Sequence, residues 1–332
     1  DISTLEGREI ALELLDQADV FVTNVRVDAL KRAGLDYDTV SARNPRLVYG
    51  QITGYGLEGP DANRPGYDIA AFWARSGIAH MLTPDGGALP FQRGGMGDHT
   101  TGVTFAGAIS AALYQRERSG LGQMVSSSLL RQGVYTIGFD LNMMLGWGQH
   151  PMIGQRTQMM NPSVNNYQAG DGKWFWVVGL EGERHWPPLA RVAGHPEWID
   201  DERFVTPLQR AINHKELIAL LDEAFSGKSL DEWADIFATE PDMFWSPVNS
   251  AEEVLADPQL QHAGGLIEVP DEYGTTTMIA SPADFHGTPG EPRWIAPKLG
   301  EHTAEVLREL GRSDAVIEEL FARQIAAKFV EE

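Results

Sequence analysis

The chain contains no cysteine. That excludes disulfides, a thiol nucleophile and a thiolate metal site. Positive charge is also scarce: 26 Lys and Arg stand against 47 Asp and Glu, a formal net charge of −21. A surface of that sign does not follow a phosphate backbone, so no nucleic-acid partner is expected. A polyanionic small molecule would need the few arginines gathered locally. No apolar run approaches the roughly 18 residues of a membrane span. No signal peptide is visible, so a cytoplasmic protein away from membranes is expected. Internal repeats and low-complexity tracts are missing as well.

What is present is enough for a large core. A hydrophobic content of 42% and nine Trp in 332 residues can fill one large domain and a smaller one. The first half alternates between helix and strand. Helix 4–17 leads to strand 19–23, and helix 27–33 stops at Gly34. A short helix at 37–43, strand 47–53, helix 67–77, helix 101–118, strand 124–128 and helix 129–146 follow. Strands separated by helices predict an α/β fold on a parallel sheet. The polar, aperiodic stretch 147–171 reads as a linker, as does 281–297, and between them 172–280 reads as a small domain. That domain starts with a buried strand, 173–180, and continues with helices near 183–193, 211–225 and 229–239. Ser229 and Glu232 have the spacing of a capping box. Strands at 264–269 and 274–280 complete it, and helices near 301–310 and 313–327 close the chain.

Chemistry concentrates between Arg64 and Gln123, in the blocks RPGYD, RGGMGDHTTG and SGLGQ. Asp98 sits among Gly94, Gly95 and Gly97, ahead of a helix rich in small and apolar residues that reads as buried. A carboxylate there faces the free amides of a helical first turn. Taken alone, Asp98 is better explained as the helix cap, since Asp is a favoured cap.

These blocks, in this order, resemble the family III CoA-transferases, the CaiB–BaiF family. EGREIALELLDQADVFVTN and NPRLVYGQITGYGLEGP upstream, and GKWFWVVG, HPEWIDDERF and KLGEHTAEVLRELG downstream, carry the resemblance over nearly the whole chain. It implies a Rossmann-like large domain built from residues 1–146 and 298–332, a smaller α+β domain, and two subunits interlocked as a homodimer. In the family the opening elements follow a first strand–helix–strand section. Several tens of residues of that section, with some of the CoA contacts, are expected to be missing here.

The resemblance places the family's catalytic aspartate on Asp98. It implies CoA transfer from an acyl-CoA to a carboxylic acid through an aspartyl-CoA thioester. Coenzyme A is then a substrate, with no tightly bound cofactor and no metal. CoA contacts carry over to Asn24, Val25, Arg32, Arg64, Tyr67, Asp68 and Gly97; ordinary surface charge is the other reading of Arg32 and Arg64. Substrate contacts carry over to Gly94, Gly95, Glu183 and Trp186, the glycines offering backbone amides to an oxyanion. Two other readings stand beside this one: a 2-methylacyl-CoA racemase and a non-catalytic CoA-binding subunit. The racemase branch carries histidine at the position of Tyr67. A phenol, with a reference pKa of about 10, is a poor proton-exchange partner at neutral pH, which favours transfer. His99, next to Asp98, points elsewhere on a helix and is a weak substitute.

Overall fold

A computed structural model describes residues 1–150 and 154–329 of the chain. It divides into two compact units, one made of the residues before Gly154 and from Ala296 onward, the other of Gly154–Ile295.

The first unit opens with α1 (Leu5–Gln17), whose start is fixed by Thr4: its hydroxyl accepts the Gly7 amide at 3.0 Å. β1 (Val20–Thr23) follows. α2 (Val27–Ala33) ends on Gly34 in the left-handed conformation, and α3 (Tyr37–Arg43) is capped by Asp36. β2 (Val48–Thr53) lies parallel to β1, with Val20 beside Val48. A long loop then leads to a six-residue π-helix, Ile69–Ala74, where sequence periodicity predicts an ordinary helix over 67–77. The one-turn α4 (Ile78–Met81) follows, then α5 (Met96–Ser119) and β3 (Met124–Ser128), which pairs in parallel with β2. The sheet order is β1-β2-β3. The helix expected over 129–146 is broken near Ile137 into α6 (Leu129–Thr136) and α7 (Gly138–Trp147).

Two apolar clusters hold this part of the unit. Leu12, Leu15, Leu30, Leu35, Val40 and Tyr49 seal α1, α2 and α3 onto the sheet. Ala71, Phe72, Trp73, Ile78 and Leu129 join the π-helix, α4 and α6. α5 differs from expectation. It starts at Met96, five residues before the predicted start, and only Gly97, Thr101, Phe105, Ala112 and Arg116 are buried, a single stripe along one face. At its far end the buried Arg116 reaches the Asp19 carboxylate at 2.9 Å and the carbonyls of Asp19 and Arg46 at 3.3 Å, which pins the helix to the sheet.

The stretch expected to be a linker at 147–171 holds β4 (Val164–Gln168), which pairs antiparallel with β5 (Trp174–Val178). Its NNYQ is polar, yet Asn165 and Tyr167 face inward on the alternating pleat, a period too short to stand out from loop. β5 likewise buries only Phe175 and Val177 rather than its whole length. α8 (Gly182–Val192), α10 (His214–Phe225) and α11 (Leu230–Phe237) share one core with this sheet, α9 (Pro207–Ile212) lies beside α10, and β6 (Trp245–Pro247) pairs on the other edge of β5. The Ser229–Glu232 capping box opens α11 as predicted. The core is aromatic: Phe175 meets Phe225 edge-on at 5.0 Å and Phe237 at 5.4 Å. α12 (Ala251–Ala256), α13 (Pro258–His262) and the hairpin of β7 (Leu266–Asp271) with β8 (Gly274–Ile279) complete the unit.

The chain then returns to the first unit in α14 (Thr303–Glu309) and α15 (Asp314–Ala322). Leu307, Ile317 and Leu320 cluster there with Ile10 of α1. Arg312 bonds Glu13 at 2.6 Å, and Arg323 bonds Glu6. No helix among the described residues is long and apolar enough to cross a membrane.

Candidate active site

In a parallel sheet with crossover helices, ligands gather beyond the carboxyl ends of the strands. β1 ends at Thr23, and its hydroxyl takes the Val25 amide at 3.1 Å. Gln51 of β2 holds the Val25 carbonyl at 2.9 Å. Asn24 and Val25 are thereby exposed at that edge, on a backbone fixed from both sides. The loop after β2 folds back so far that Gly66 rests on Gly54, and Leu130 of α6 donates to the Gly54 carbonyl at 3.0 Å. This brings the stretch from Asp61 to Asp68 beside the end of β1.

Arginines collect there. Arg64 lies 5.6 Å from the Tyr55 ring and 3.8 Å from Asp61. Arg75, at the end of the π-helix, lies 4.9 Å from the same ring and also pairs with Asp61. Arg26, absent from the sequence-predicted set, donates to the Asn63 carbonyl at 3.3 Å, while Asn63 accepts the Asp28 amide at 3.0 Å. The signal for Arg26 was its place directly after Asn24 and Val25. Arg32, in contrast, is exposed in the last turn of α2 and bonds none of these residues.

Tyr67 is 83% exposed at the end of that loop. Asp68, one residue on, turns the other way and is buried. Both of its oxygens lie 3.1 Å from the Gly97 amide, and Oδ1 also accepts from Gln92 Nε2 at 2.7 Å. This corrects two expectations. The Gly97 amide is spent on Asp68 and is not available to CoA or to an oxyanion. The cap of α5 is supplied by Asp68 from a distant stretch of chain, not by Asp98. The residue at the cap position is Gly95, held at φ 80° and without a side-chain bond.

Asp98 is therefore the third residue of α5, released from capping. Its side chain is exposed and accepts no hydrogen bond among the described residues, and its own amide has no acceptor there. Its carboxyl is held above the ordinary carboxylate range, first by partial burial and then by the charge of Asp68; neighbouring His99 works the other way. Gly94 is exposed with open space around it, and the positive φ of Gly95 turns the chain into the helix.

Glu183 and Trp186 belong to the other unit. Glu183 is exposed in the first turn of α8. Trp186 is 2% exposed, packed edge-on to Phe204 and 5.1 Å from the Arg210 guanidinium, so it fills a core instead of meeting substrate. Arg210 is itself buried and holds the carbonyls of Phe204 at 2.7 Å and Gly182 at 3.0 Å.

Known proteins resemble this chain over most of its length. The sequence model described as CoA-transferase family III matches residues 1–303. The chain is 31% identical over 319 residues to (R)-2-hydroxy-4-methylpentanoate CoA-transferase of Clostridioides difficile, covering 96% of this chain and 79% of that protein. It is 32% identical to the human succinyl-CoA:glutarate CoA-transferase, covering 95% and 71%. A crystal structure of a point mutant of Rv3272 from Mycobacterium tuberculosis superposes with a TM-score of 0.81 at 27% identity, covering 92% of this chain and 80% of that one. A CAIB/BAIF family protein from Brucella suis gives 0.78 at 30% identity, covering 93% and 80%. The chain belongs to CoA-transferase family III, the CaiB/BaiF family.

Proposed function

We propose that Asp98 is the nucleophile of this CoA-transferase. The Asp98 carboxylate attacks the thioester carbonyl of an acyl-CoA and expels the CoA thiolate, leaving a mixed anhydride. The thiolate attacks the Asp98 carbonyl, releases the donor acid and leaves an aspartyl-CoA thioester. An incoming carboxylate attacks that thioester, the thiolate leaves, and a second mixed anhydride forms. The thiolate then attacks the acceptor's carbonyl, which regenerates Asp98 and yields the new acyl-CoA. One thioester replaces another, so the steps balance without ATP. The Asp98 amide, approached past Gly94 and Gly95, suits the oxyanion of these additions. Arg26 and Arg64 suit the CoA phosphates, joined by Arg75 if its bond to Asp61 opens, with Asn24 and Val25 lining the edge beneath.

The observation that carries this reading is the division of labour at the start of α5: Asp68 supplies the cap, and Asp98 is left exposed and unbonded. Incubation with an acyl-CoA followed by hydroxylamine tests it. The peptide containing Asp98 should carry a hydroxamate, and an unmodified peptide under turnover would overturn the reading. A non-catalytic CoA-binding subunit would bind CoA and give no hydroxamate.

Tyr67 separates transfer from racemisation. No α-proton exchange with deuterated water is expected on a 2-methylacyl-CoA, because an exposed phenol does not trade protons with a carboxylate at neutral pH. Mass spectrometry of the recovered thioester checks this, and rapid deuterium uptake would contradict it.

The working unit is proposed to be a homodimer of the interlocked kind. α7 buries no residue in the isolated chain and exposes Phe139, Leu145 and Trp147, an apolar face that association would cover. A cytoplasmic location fits a soluble acyl-CoA enzyme and is part of the same proposal.

A further inference from the structure

Asp68 follows the exposed Tyr67 in sequence but does not share its surroundings. It is 7% exposed and pairs with no cationic side chain among the described residues, while Arg64 and Arg75 go to Asp61 and the Tyr55 ring. Its bonds are to the Gly97 amide and to Gln92 Nε2. Gln92 is 2% exposed, and its Oε1 has no partner. A buried amide that leaves one end unbonded in order to hold a carboxylate is costly, and its retention calls for a reason. The space is closed as well, since a Cβ on Gly97 would lie 2.3 Å from Asp68 Oδ1.

We propose that Asp68, held by Gln92, is a positioning residue for Asp98: it fixes the first turn of α5 from below and sets the field in which the neighbouring carboxylate reacts. The inference rests on Asp98 being the nucleophile. Anchoring the Gly97 amide fixes the peptide from which Asp98 springs, so the attacking oxygen is held without spending a bond of its own. Partial burial first, and then the negative charge of Asp68, keep the Asp98 carboxyl less acidic than an isolated aspartate. That makes the carboxylate more nucleophilic toward a thioester.

The charges acting on Asp98 are Asp68, from the loop ahead of the π-helix, and His99 on α5 itself. The test compares Asp68→Asn, Asp68→Ala and Asp98→Ala in the full chain, by kcat and KM for acyl-CoA across pH and by thermal unfolding. Asp98 must be ionised to attack, so activity rises with pH through its pKa. Asp68→Asn keeps an acceptor for Gly97 and removes the charge; its acid limb should move to lower pH with KM nearly unchanged. Asp68→Ala removes the anchor too, and its kcat should fall about 100-fold, the scale of a misplaced reacting group. A wild-type acid limb in Asp68→Asn would overturn the inference even if Asp68→Ala fails to fold. Were Asp98→Ala active, the nucleophile assignment itself would fall; were it inactive while Asp68→Asn keeps the wild-type limb, only the role of Asp68 would.

Discussion

Asp98→Ala is expected to abolish CoA transfer, by roughly 10⁴-fold or more in kcat, the scale seen when a covalent nucleophile is removed. The fold should be retained. Asp98 caps nothing and bonds nothing, so the usual loss of about 1 kcal/mol for a deleted cap does not apply. The sign of any stability change follows from its raised pKa. Between the ordinary value of 3.8 and the higher folded-state value, the folded chain binds more protons than the unfolded one. Stability therefore falls as pH rises through that window, and at neutral pH the ionised side chain weighs against the fold. The melting temperature of Asp98→Ala at neutral pH should equal or exceed that of the wild type, with the difference shrinking in acid. Activity and thermal unfolding on one preparation check both halves. A large loss of stability would mean that Asp98 is the structural cap after all.

Gly97→Ala should also be damaging, to a lesser degree and by another route. The added methyl would sit 2.3 Å from both Asp68 Oδ1 and Phe72 Cγ, in a space already filled. Overpacking of this kind costs about 1–3 kcal/mol. Because the same push breaks the bond from the Gly97 amide to Asp68, Asp98 should move with it, and kcat should drop about 100-fold. The variant should still bind CoA near wild-type strength, since Asn24, Val25 and Arg64 lie on other segments. Equilibrium binding of CoA beside turnover separates the two effects, and unimpaired turnover would remove Gly97 and Asp68 from the account together.

The parallel strands were legible because a buried strand such as VYGQIT needs nothing but its own run and flanking breaks to be read. Helix caps made locally were legible too, as at Ser229 and Glu232. The start of α5 was not, because its cap comes from Asp68, 29 residues away in sequence. No local pattern reports such a bond, and an Asp near a helix start is read by default as the cap. Gln92 left no trace in the sequence for the same reason. Trp186 was misplaced for a different one: it was carried over from the family's pocket region, whereas Arg210 packs against it inside the core and bonds two carbonyls. β4 was hidden because its inward residues include an asparagine, Asn165, whose amide reaches the Arg156 carbonyl at 3.0 Å and so tolerates burial. The proposed nucleophile was visible from motif alone, while the bond that anchors its helical turn belongs to the fold.

The most direct measurement of the central claim follows oxygen. An acceptor acid labelled with ¹⁸O in both carboxylate positions attacks the aspartyl-CoA thioester, and the later attack of thiolate on the acceptor's carbonyl leaves one labelled oxygen on Asp98. After one turnover the peptide containing Asp98 should be heavier by one ¹⁸O-for-¹⁶O exchange, and in later cycles it should approach two as the released donor acid acquires the label. An Asp98 peptide that stays unlabelled while labelled acyl-CoA accumulates would contradict the covalent route through Asp98.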